Sequence, residues 1–212
     1  GTLYFSADDG VTGRELWKSD GTSAGTVMVK NIMPGSNFSA ANYLTNVNGV
    51  LFFVANDGTN SLELWKSDGT LAGTVIVKDI RPGATSSFPY YLINVNGVLF
   101  FAANDGTNGD ELWKSNGTSA GTVMVKDIWP GANSSTPQEL TNVNGVLFFA
   151  ANDGTNGDEL WKSDGTTAGT VMIPLTGGIG PANPANLKAV NGVLFFAGQG
   201  APTGGGFGVE LF

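Results

Sequence analysis

Hydrophobic residues in this chain fall into short runs separated by Gly, Asn, Asp and Ser, and the same succession of runs returns along its length. No stretch sustains the 3.6-residue apolar period of an amphipathic helix, and glycine interrupts every window long enough to form one. Short apolar or alternating runs bounded by turn residues are typical of β-strands. The pattern therefore predicts an all-β chain.

The third copy of the pattern shows the predicted strands most clearly. Residues 91–95 lead into the Asn-Gly pair at 96–97, a strong two-residue hairpin signal, and residues 98–103 are apolar on both faces, as in a strand sandwiched between two layers. Residues 111–115 alternate, with Glu, Trp and Ser on one face and Leu and Lys on the other. Residues 122–128 form a fourth strand. We therefore expect four antiparallel strands per copy.

The copies are defined by a Glu-Leu-Trp triplet that recurs with a constant period. It begins at Glu15, Glu63, Glu111 and Glu159, a spacing of 48 residues, and a degenerate copy begins at Glu210. Four antiparallel strands in a repeat of 40–50 residues are typical of a β-propeller blade. A stacked β-solenoid is the rival fold, but its coils are usually shorter and lack Asn-Gly hairpins. We expect residues 1–212 to form one β-propeller repeat domain.

The number of predicted strands bears on how many blades there are. Strands like residues 98–103 and strands like residues 111–115 occur five times each, and the other two types occur four times each. This predicts about five blade positions with incomplete terminal blades. A larger ring truncated at both ends remains open. Residues 1–10 match residues 49–58, so the chain begins inside a repeat, and we expect it to be a piece of a longer protein.

One repeated motif resembles that of a known family. The second copy reads Glu-Leu-Trp-Lys-Ser-Asp-Gly-Thr at 63–70, followed by Ala-Gly-Thr at 72–74. This is similar to the ELWxxDGT repeat of large, modular, mostly secreted bacterial proteins. The resemblance covers nearly the whole chain, although Asn116 replaces the Asp of the motif and Phe212 replaces its Trp. The resemblance implies an extracellular or cell-surface repeat module. No catalytic activity is assigned to that family, so the resemblance implies none here.

Composition and charge exclude several classes of function. The net charge is −8 and the ten basic residues are spread along the repeats, which argues against binding nucleic acid or anionic lipid. No apolar run approaches the roughly 18 residues that insertion as a membrane span requires. Cysteine and histidine are absent, which removes thiolate nucleophiles, cysteine zinc sites and the commonest general base. We expect no cofactor, and calcium is the one candidate left open.

Paired carboxylates are the one form of catalysis that this composition leaves open. Nearly every acidic residue belongs to the repeat, however, whereas a catalytic site is asymmetric. A near-perfect repeat offers no unique pair of acids. We therefore predict a protein that is not an enzyme and assign no catalytic residue.

Ligand contacts are expected where the copies differ. The variable segments are the four that connect successive copies, residues 33–43, 81–91, 129–139 and 176–186. The recurrent tryptophans of the triplets can serve either as sugar-stacking platforms or as core between blades, and core is the usual role of a Trp in an alternating strand. The residues predicted to contact ligand are Arg81, Tyr90, Tyr91 and Trp129.

The Asn-Asp-Gly loops raise a calcium hypothesis because they are rich in the oxygen ligands that hard cations prefer. The candidate ligands are Asp57, Asp105, Asp110, Asp153 and Asp158. Their spacing does not fit a helix-loop-helix calcium loop, and Asn, Asp and Gly also form ordinary turns. In the Ser-Asp-Gly-Thr turns, Asp20, Asp68 and Asp164 are expected to brace the turn by accepting backbone N–H bonds.

Taken together, these features predict a non-enzymatic extracellular β-propeller module for binding or structural assembly at a bacterial surface. The alternatives are a multivalent carbohydrate-binding lectin, an architectural unit of a surface filament or sheath, and a calcium-dependent adhesion module. Its partners would be protein or carbohydrate at a surface. Unpaired strand edges at residues 1–7 and 208–212 also predict self-association.

Overall fold

Among the residues that the structure describes, regular secondary structure consists of β-strands. The structure is a computed structural model, and it describes residues 1–35, 37–174, 182–199 and 209–211. In those ranges no helix is long and apolar enough to cross a membrane. The strands are β1 (Leu3–Asp8), β2 (Arg14–Ser19), β3 (Val27–Lys30), β4 (Asn42–Val47), β5 (Val50–Asn56), β6 (Leu62–Ser67), β7 (Val75–Lys78), β8 (Tyr90–Val95), β9 (Val98–Asn104), β10 (Asp110–Ser115), β11 (Val123–Lys126), β12 (Gln138–Val143), β13 (Val146–Asn152), β14 (Asp158–Ser163), β15 (Val171–Met172), β16 (Ala185–Val190), β17 (Val193–Gln199) and β18 (Val209–Leu211).

The strands form five antiparallel sheets, each made of consecutive strands. Sheet 1 is β1–β3, sheet 2 is β4–β7, sheet 3 is β8–β11, sheet 4 is β12–β15 and sheet 5 is β16–β18. The all-β prediction and the four-stranded antiparallel repeat are confirmed by the three central sheets. Sheets 1 and 5 have three strands each in the described part of the chain.

Neighbouring sheets meet along their first strands. β4 packs beside β8, β8 beside β12, and β12 beside β16, so these strands form a column from which the sheets extend. Within the described ranges, no strand of sheet 1 is among those packed against sheet 5. The sheets therefore form an open series rather than a closed ring in this structure.

The core lies between the sheets, because each sheet is apolar on both faces. Phe101 and Trp113 of sheet 3 pack in one cluster with residues of sheet 2, whereas Phe100 and Leu112 pack in another with residues of sheet 4. The alternation predicted for residues 111–115 is therefore confirmed. Sheets 2, 3 and 4 thus each present a tryptophan face to the preceding sheet and a second apolar face to the following one.

The tryptophans of the triplets are core residues wherever a preceding sheet covers them. Trp65, Trp113 and Trp161 are each 5% exposed, and Lys78 of sheet 2 lies over the Trp113 ring at 5.7 Å from its centroid. The prediction that they fill the space between sheets is confirmed for these three. Trp17 is half-buried, because the described structure has no sheet before sheet 1.

The Ser-Asp-Gly-Thr turns are braced as predicted. Asp68 Oδ1 accepts bonds from the Thr70 N–H (2.9 Å) and the Thr70 hydroxyl (2.7 Å), and Asp20 and Asp164 do the same in their turns. A Cβ added at Gly73 would collide with the Asp68 carboxylate, which explains the Gly of the Ala-Gly-Thr segment. The motif therefore encodes one self-contained turn.

Lysines tie each sheet to the turn of the next. Lys66 Nζ donates to the Gly117 carbonyl (2.8 Å) and Lys78 Nζ to the Thr122 carbonyl (2.8 Å), and the same bonds recur one sheet earlier and one sheet later. Because these bonds link neighbouring sheets, the lysines of the repeat add a directional polar contact to the apolar packing.

Candidate functional site

The two ends of the sheets differ in how much they vary between copies. One end carries the Asn-Gly hairpins and the Ser-Asp-Gly-Thr turns, which are nearly identical in each copy. The other carries the Asn-Asp-Gly loops and the segments that lead from one sheet to the next, which we call the crossing loops. Because the strands are nearly the same in every copy, the copies differ from one another mainly in their crossing loops.

Buried glutamates of the Glu-Leu-Trp triplets hold the crossing loops in place. Glu111 is fully buried, and its carboxylate accepts bonds from the Ile128 N–H (2.9 Å), the Ser135 N–H (3.1 Å) and the Ser135 hydroxyl (2.6 Å). Glu63 binds Ile80 and Ser87 in the same way. Burial raises the pKa of Glu111 to about 7, against these hydrogen bonds, which lower it. The glutamates are structural anchors.

The same anchor shortens the last strand of the sheet. Residues 122–128 were expected to form the fourth strand of the third copy, but β11 covers only Val123–Lys126. The Thr122 N–H bonds to the Ser119 carbonyl within the turn, and the Ile128 N–H bonds to the Glu111 carboxylate. Neither group is available to the ladder, so the strand is shorter at both ends.

A β-bulge lies near the start of the first strand in sheets 2 to 5, β4, β8, β12 and β16. Tyr43, Tyr91, Glu139 and Asn186 have φ of 55°, 54°, 58° and 56°, and the strand register shifts around all four. The left-handed region is uncommon for residues other than glycine. Since Glu and Asn serve as well as Tyr at this position, the bulge itself does not require an aromatic side chain.

Sheets 2 and 3 together form a pocket at the crossing-loop end. It has a volume of about 220 Å³. Phe88 and Tyr43 line it, and 57% and 52% of their surfaces are exposed. Phe88 also has a left-handed backbone, with a φ of 46°. The lining contains no charged side chain and consists of Asn42, Tyr43, Val54, Leu62, Phe88, Pro89 and Tyr90.

The second copy departs from the repeat at this pocket. Where the third and fourth copies have Gly109-Asp110 and Gly157-Asp158, the second has Ser61-Leu62. Ser61 adopts a φ of 57°, which glycine would take without strain, and its hydroxyl lies 2.7 Å from that of Ser86. Leu62 replaces a carboxylate with an apolar side chain in the pocket lining. This departure was the sequence signal that could have located the pocket.

Two of the four predicted ligand residues lie at this site. Tyr90 lines the pocket, and the Tyr91 ring lies beside it with centroids 5.4 Å apart. Burial raises the pKa of Tyr90, and nearby Asp110 acts in the same direction, so its hydroxyl stays protonated and can donate a hydrogen bond. The pocket residues that sequence reasoning did not single out are Asn42, Tyr43, Val54, Leu62, Phe88 and Pro89.

The other two predicted ligand residues lie elsewhere on the same end. Arg81 packs against the following Asn-Asp-Gly loop, with its Nε 2.9 Å from where a Cβ of Gly106 would stand. Trp129 covers Gly154 in the next sheet so closely that a Cβ there would clash with the indole. Both side chains are half-buried, so Trp129 is less exposed than its variability suggested. Each covers a loop of the neighbouring sheet.

The aspartates of the calcium hypothesis are engaged in their own loops. Asp105 accepts bonds from the backbone N–H groups of Thr107 and Asn108, both at 2.8 Å, and from the Asn108 amide. Desolvation by burial raises its pKa, but these hydrogen bonds outweigh it and hold the pKa below the ordinary value. Asp57 and Asp153 make the same bonds in sheets 2 and 4.

The remaining two candidates also have protein partners. Asp110 accepts a bond from the Ser134 hydroxyl (3.1 Å), and Asp158 accepts one from the Asn152 amide (3.2 Å). Across the described ranges, no group of three or more His, Cys, Asp or Glu residues is arranged to hold a metal ion. The structure therefore does not bring the five aspartates together at one site.

Comparisons with known proteins inform the fold alone. No protein-family model matches the sequence, and no curated protein is significantly similar to it. TolB from Acinetobacter baumannii aligns with all of this chain at 11% identity and a TM-score of 0.52, over 50% of its own length. A prolyl endopeptidase aligns with all of it at 11% identity and a TM-score of 0.54, over 33%. The chain thus spans half or less of these proteins, whose folds are β-propeller-like.

Proposed function

We propose that this chain is part of a β-propeller, with five blade positions, and acts as a non-enzymatic binding module on the outside of a bacterial cell. The observation that carries the proposal is the aromatic pocket at the crossing-loop end. Leu62 departs from the repeat, and two other lining residues, Tyr43 and Phe88, are highly exposed. Their left-handed backbone is adopted in the fourth copy by Glu139 and Thr136, which are not aromatic. Exposed aromatic side chains that the fold does not require are typical of binding surfaces.

The propeller assignment is supported by how the sheets are arranged. Each sheet buries one face on its predecessor and one on its successor, and the first strands line up as an inner column. This arrangement is expected of blades around a central axis. The likeness to β-propeller-like folds agrees with it.

The non-enzymatic assignment is supported by the acidic residues. The buried glutamates bind crossing-loop backbone, and the aspartates of the turns and loops accept N–H bonds from their own segments. A carboxylate that supports the fold in every copy is a poor candidate for a unique general acid or base. The extracellular location rests on the resemblance to the ELWxxDGT repeat.

The proposal can be tested by sedimentation with purified bacterial envelopes. The wild-type chain should co-sediment, and Tyr43→Ala combined with Phe88→Ala should reduce binding at least about tenfold, since aromatic contacts contribute about 1 kcal/mol each and 1.4 kcal/mol is tenfold. Phe38→Ala is the matched control, because Phe38 is 63% exposed in a crossing loop but does not line the pocket. Equal binding by all three proteins, or by none, would contradict the proposal.

Assembly of copies is a second candidate function. Leu3 in sheet 1 is 64% exposed, and Val193 and Phe195 in sheet 5 are 54% and 39% exposed. These residues belong to the two kinds of face that pack together between sheets inside the chain, so sheet 5 of one copy can receive sheet 1 of another. Sedimentation equilibrium should show association that Phe195→Ser weakens and Val11→Ser, at an exposed loop position, does not. A monomer at high concentration would exclude it.

A further inference from the structure

We propose that the aromatic pocket between sheets 2 and 3 binds one pyranose ring of a neutral polysaccharide. This inference rests on the proposed binding function and names its ligand class. It is carried by the pocket lining, by the pocket volume, and by the departure of the second copy from the repeat.

The electrostatics of the pocket favour a neutral ligand. None of the lining residues is charged, and the chain as a whole carries a net charge of −8. An anionic ligand would meet no cation in the lining, and a cationic one would find no carboxylate there, because Leu62 stands where the next two copies have Asp110 and Asp158. The lining thus lacks the charge that those two copies carry at this position.

The lining combines apolar surface with a few hydrogen-bonding groups. Phe88, Tyr43 and Leu62 provide apolar contacts. The polar groups are the hydroxyls of Tyr43 and Tyr90 and the side-chain carbonyl of Asn42. The Asn42 amide nitrogen already donates to the Ala40 carbonyl at 2.7 Å, so its side-chain oxygen is the acceptor available for a ligand. A pyranose matches this combination, because its ring has apolar C–H faces and a rim of hydroxyl groups. Sites for small ligands are built in this way, with apolar walls and a few placed polar groups.

The volume and position of the pocket set the size of the ligand. Its volume of about 220 Å³ is below the roughly 300–1,000 Å³ of sites for drug-sized molecules, so it accommodates a single ring. Phe88 and Tyr43 are more than half exposed, so the pocket is open to solvent and the rest of a polymer can extend outside it. A peptide in a polyproline helix would instead need a groove several residues long.

The backbone at the pocket departs from the repeat at one position. Tyr43 and Phe88 have left-handed φ values, but the other copies adopt the same conformation at these positions, so that feature belongs to the fold. Ser61 also has a left-handed φ, of 57°, where the other copies use glycine. Leu62 directly follows Ser61, so the two departures from the repeat are adjacent in the sequence. A strained backbone that coincides with altered side chains is a pointer to function rather than to folding.

The test is native affinity electrophoresis in gels containing neutral glucan, mannan or galactan, with polygalacturonate as the acidic comparison. At least one neutral polysaccharide should retard the wild-type chain, and Tyr43→Ala combined with Phe88→Ala should lower the affinity at least about tenfold. The double change Ser61→Gly and Leu62→Asp restores the residues of the third copy and should be as damaging to binding, yet it should leave the melting temperature unchanged or raised. Phe38→Ala should bind like the wild type.

The outcomes separate this inference from the proposed function. If envelopes bind through the pocket, their binding should survive protease treatment and be lost after periodate oxidation, which cleaves the vicinal diols of sugars. Envelope binding that protease abolishes and periodate spares would keep the binding function but replace the saccharide with a protein partner. Retardation by no neutral polysaccharide, or by polygalacturonate alone, would overturn the inference.

Discussion

The Ser135 hydroxyl donates a 2.6 Å hydrogen bond to the Glu111 carboxylate, and both residues have no exposed surface. Glu111 lies in the third strand of its sheet, and Ser135 lies 24 residues later in the crossing loop that leads to the next sheet. The bond therefore fastens the crossing loop between sheets 3 and 4 to sheet 3 through one buried ionisable group. It explains why Glu is part of the repeated triplet although no charged partner faces it.

We predict that stability falls as the pH rises from about 4.5 to about 7. Burial raises the pKa of Glu111 to about 7 and also raises that of Glu63, each from an ordinary value near 4.5. A group whose folded pKa is raised stabilises the fold below its unfolded pKa, and that stability is lost as the pH rises through the folded pKa. The change should be about 1–3 kcal/mol, since one pKa unit is about 1.4 kcal/mol.

Urea unfolding at pH 5 and pH 8 measures this effect. Glu111→Gln should reduce the pH dependence, because the amide cannot ionise, and Glu63 should retain its own share. Asp164→Asn is the control, because Asn116 makes the same turn in the third copy and hydrogen bonds to Thr166 lower the pKa of Asp164, so that its titration lies at more acidic pH. Equal stability of the wild-type chain at both pH values would contradict the assignment of a raised pKa.

We predict that Gly73→Ala destabilises the fold through Asp68. The new Cβ would occupy the space of the Asp68 carboxylate, whose bonds to Thr70 brace the turn. Overpacking of this kind costs about 1–3 kcal/mol. In a double-mutant cycle with Asp68→Ala, the losses should be less than additive, because truncation of Asp68 removes the clash. Additive losses in urea unfolding would show that the two residues do not interact.

We predict that two tryptophans differ in their contribution to stability. Trp113 is 5% exposed between sheets 2 and 3, so Trp113→Ala should cost about 3–5 kcal/mol, as large core truncations do. Trp129 is half-buried over Gly154, so Trp129→Ala should cost about half as much because it buries less apolar surface. Thermal unfolding of the two variants decides the matter, and similar losses would refute the distinction.

We predict that calcium leaves the melting temperature unchanged. The carboxylates of Asp57, Asp105 and Asp153 already accept two backbone N–H bonds each, so a cation would have to displace the loop's own donors. A ligand that binds the native state raises stability by mass action. Melting curves in chelator and in excess calcium should therefore superimpose, and a higher melting temperature in calcium would restore the metal hypothesis.

Much of the fold was predictable because its signals are local. The Asn-Gly hairpins, the turn around Asp68 and the alternation of Leu112 and Trp113 each depend on residues within a few positions of one another. Because the copies are nearly identical in sequence, strands and turns assigned correctly in one copy are also correct in the others. The calcium hypothesis rests on local composition and stays a prediction, and the oxygen-rich loops satisfy their carboxylates with their own N–H groups.

The sequence by itself determined the all-β class, the four-stranded repeat and the burial of the tryptophans between sheets, because strand periodicity and turn chemistry act between near neighbours. Only the tertiary structure decided that Tyr43, Leu62 and Phe88 line one pocket and that Glu111 binds Ser135. These residues belong to different strands and loops, and their distances are set by how strands pair within a sheet and how neighbouring sheets pack. Spacing along the chain does not encode that packing, since each contact depends on apolar faces that meet only when the sheets assemble.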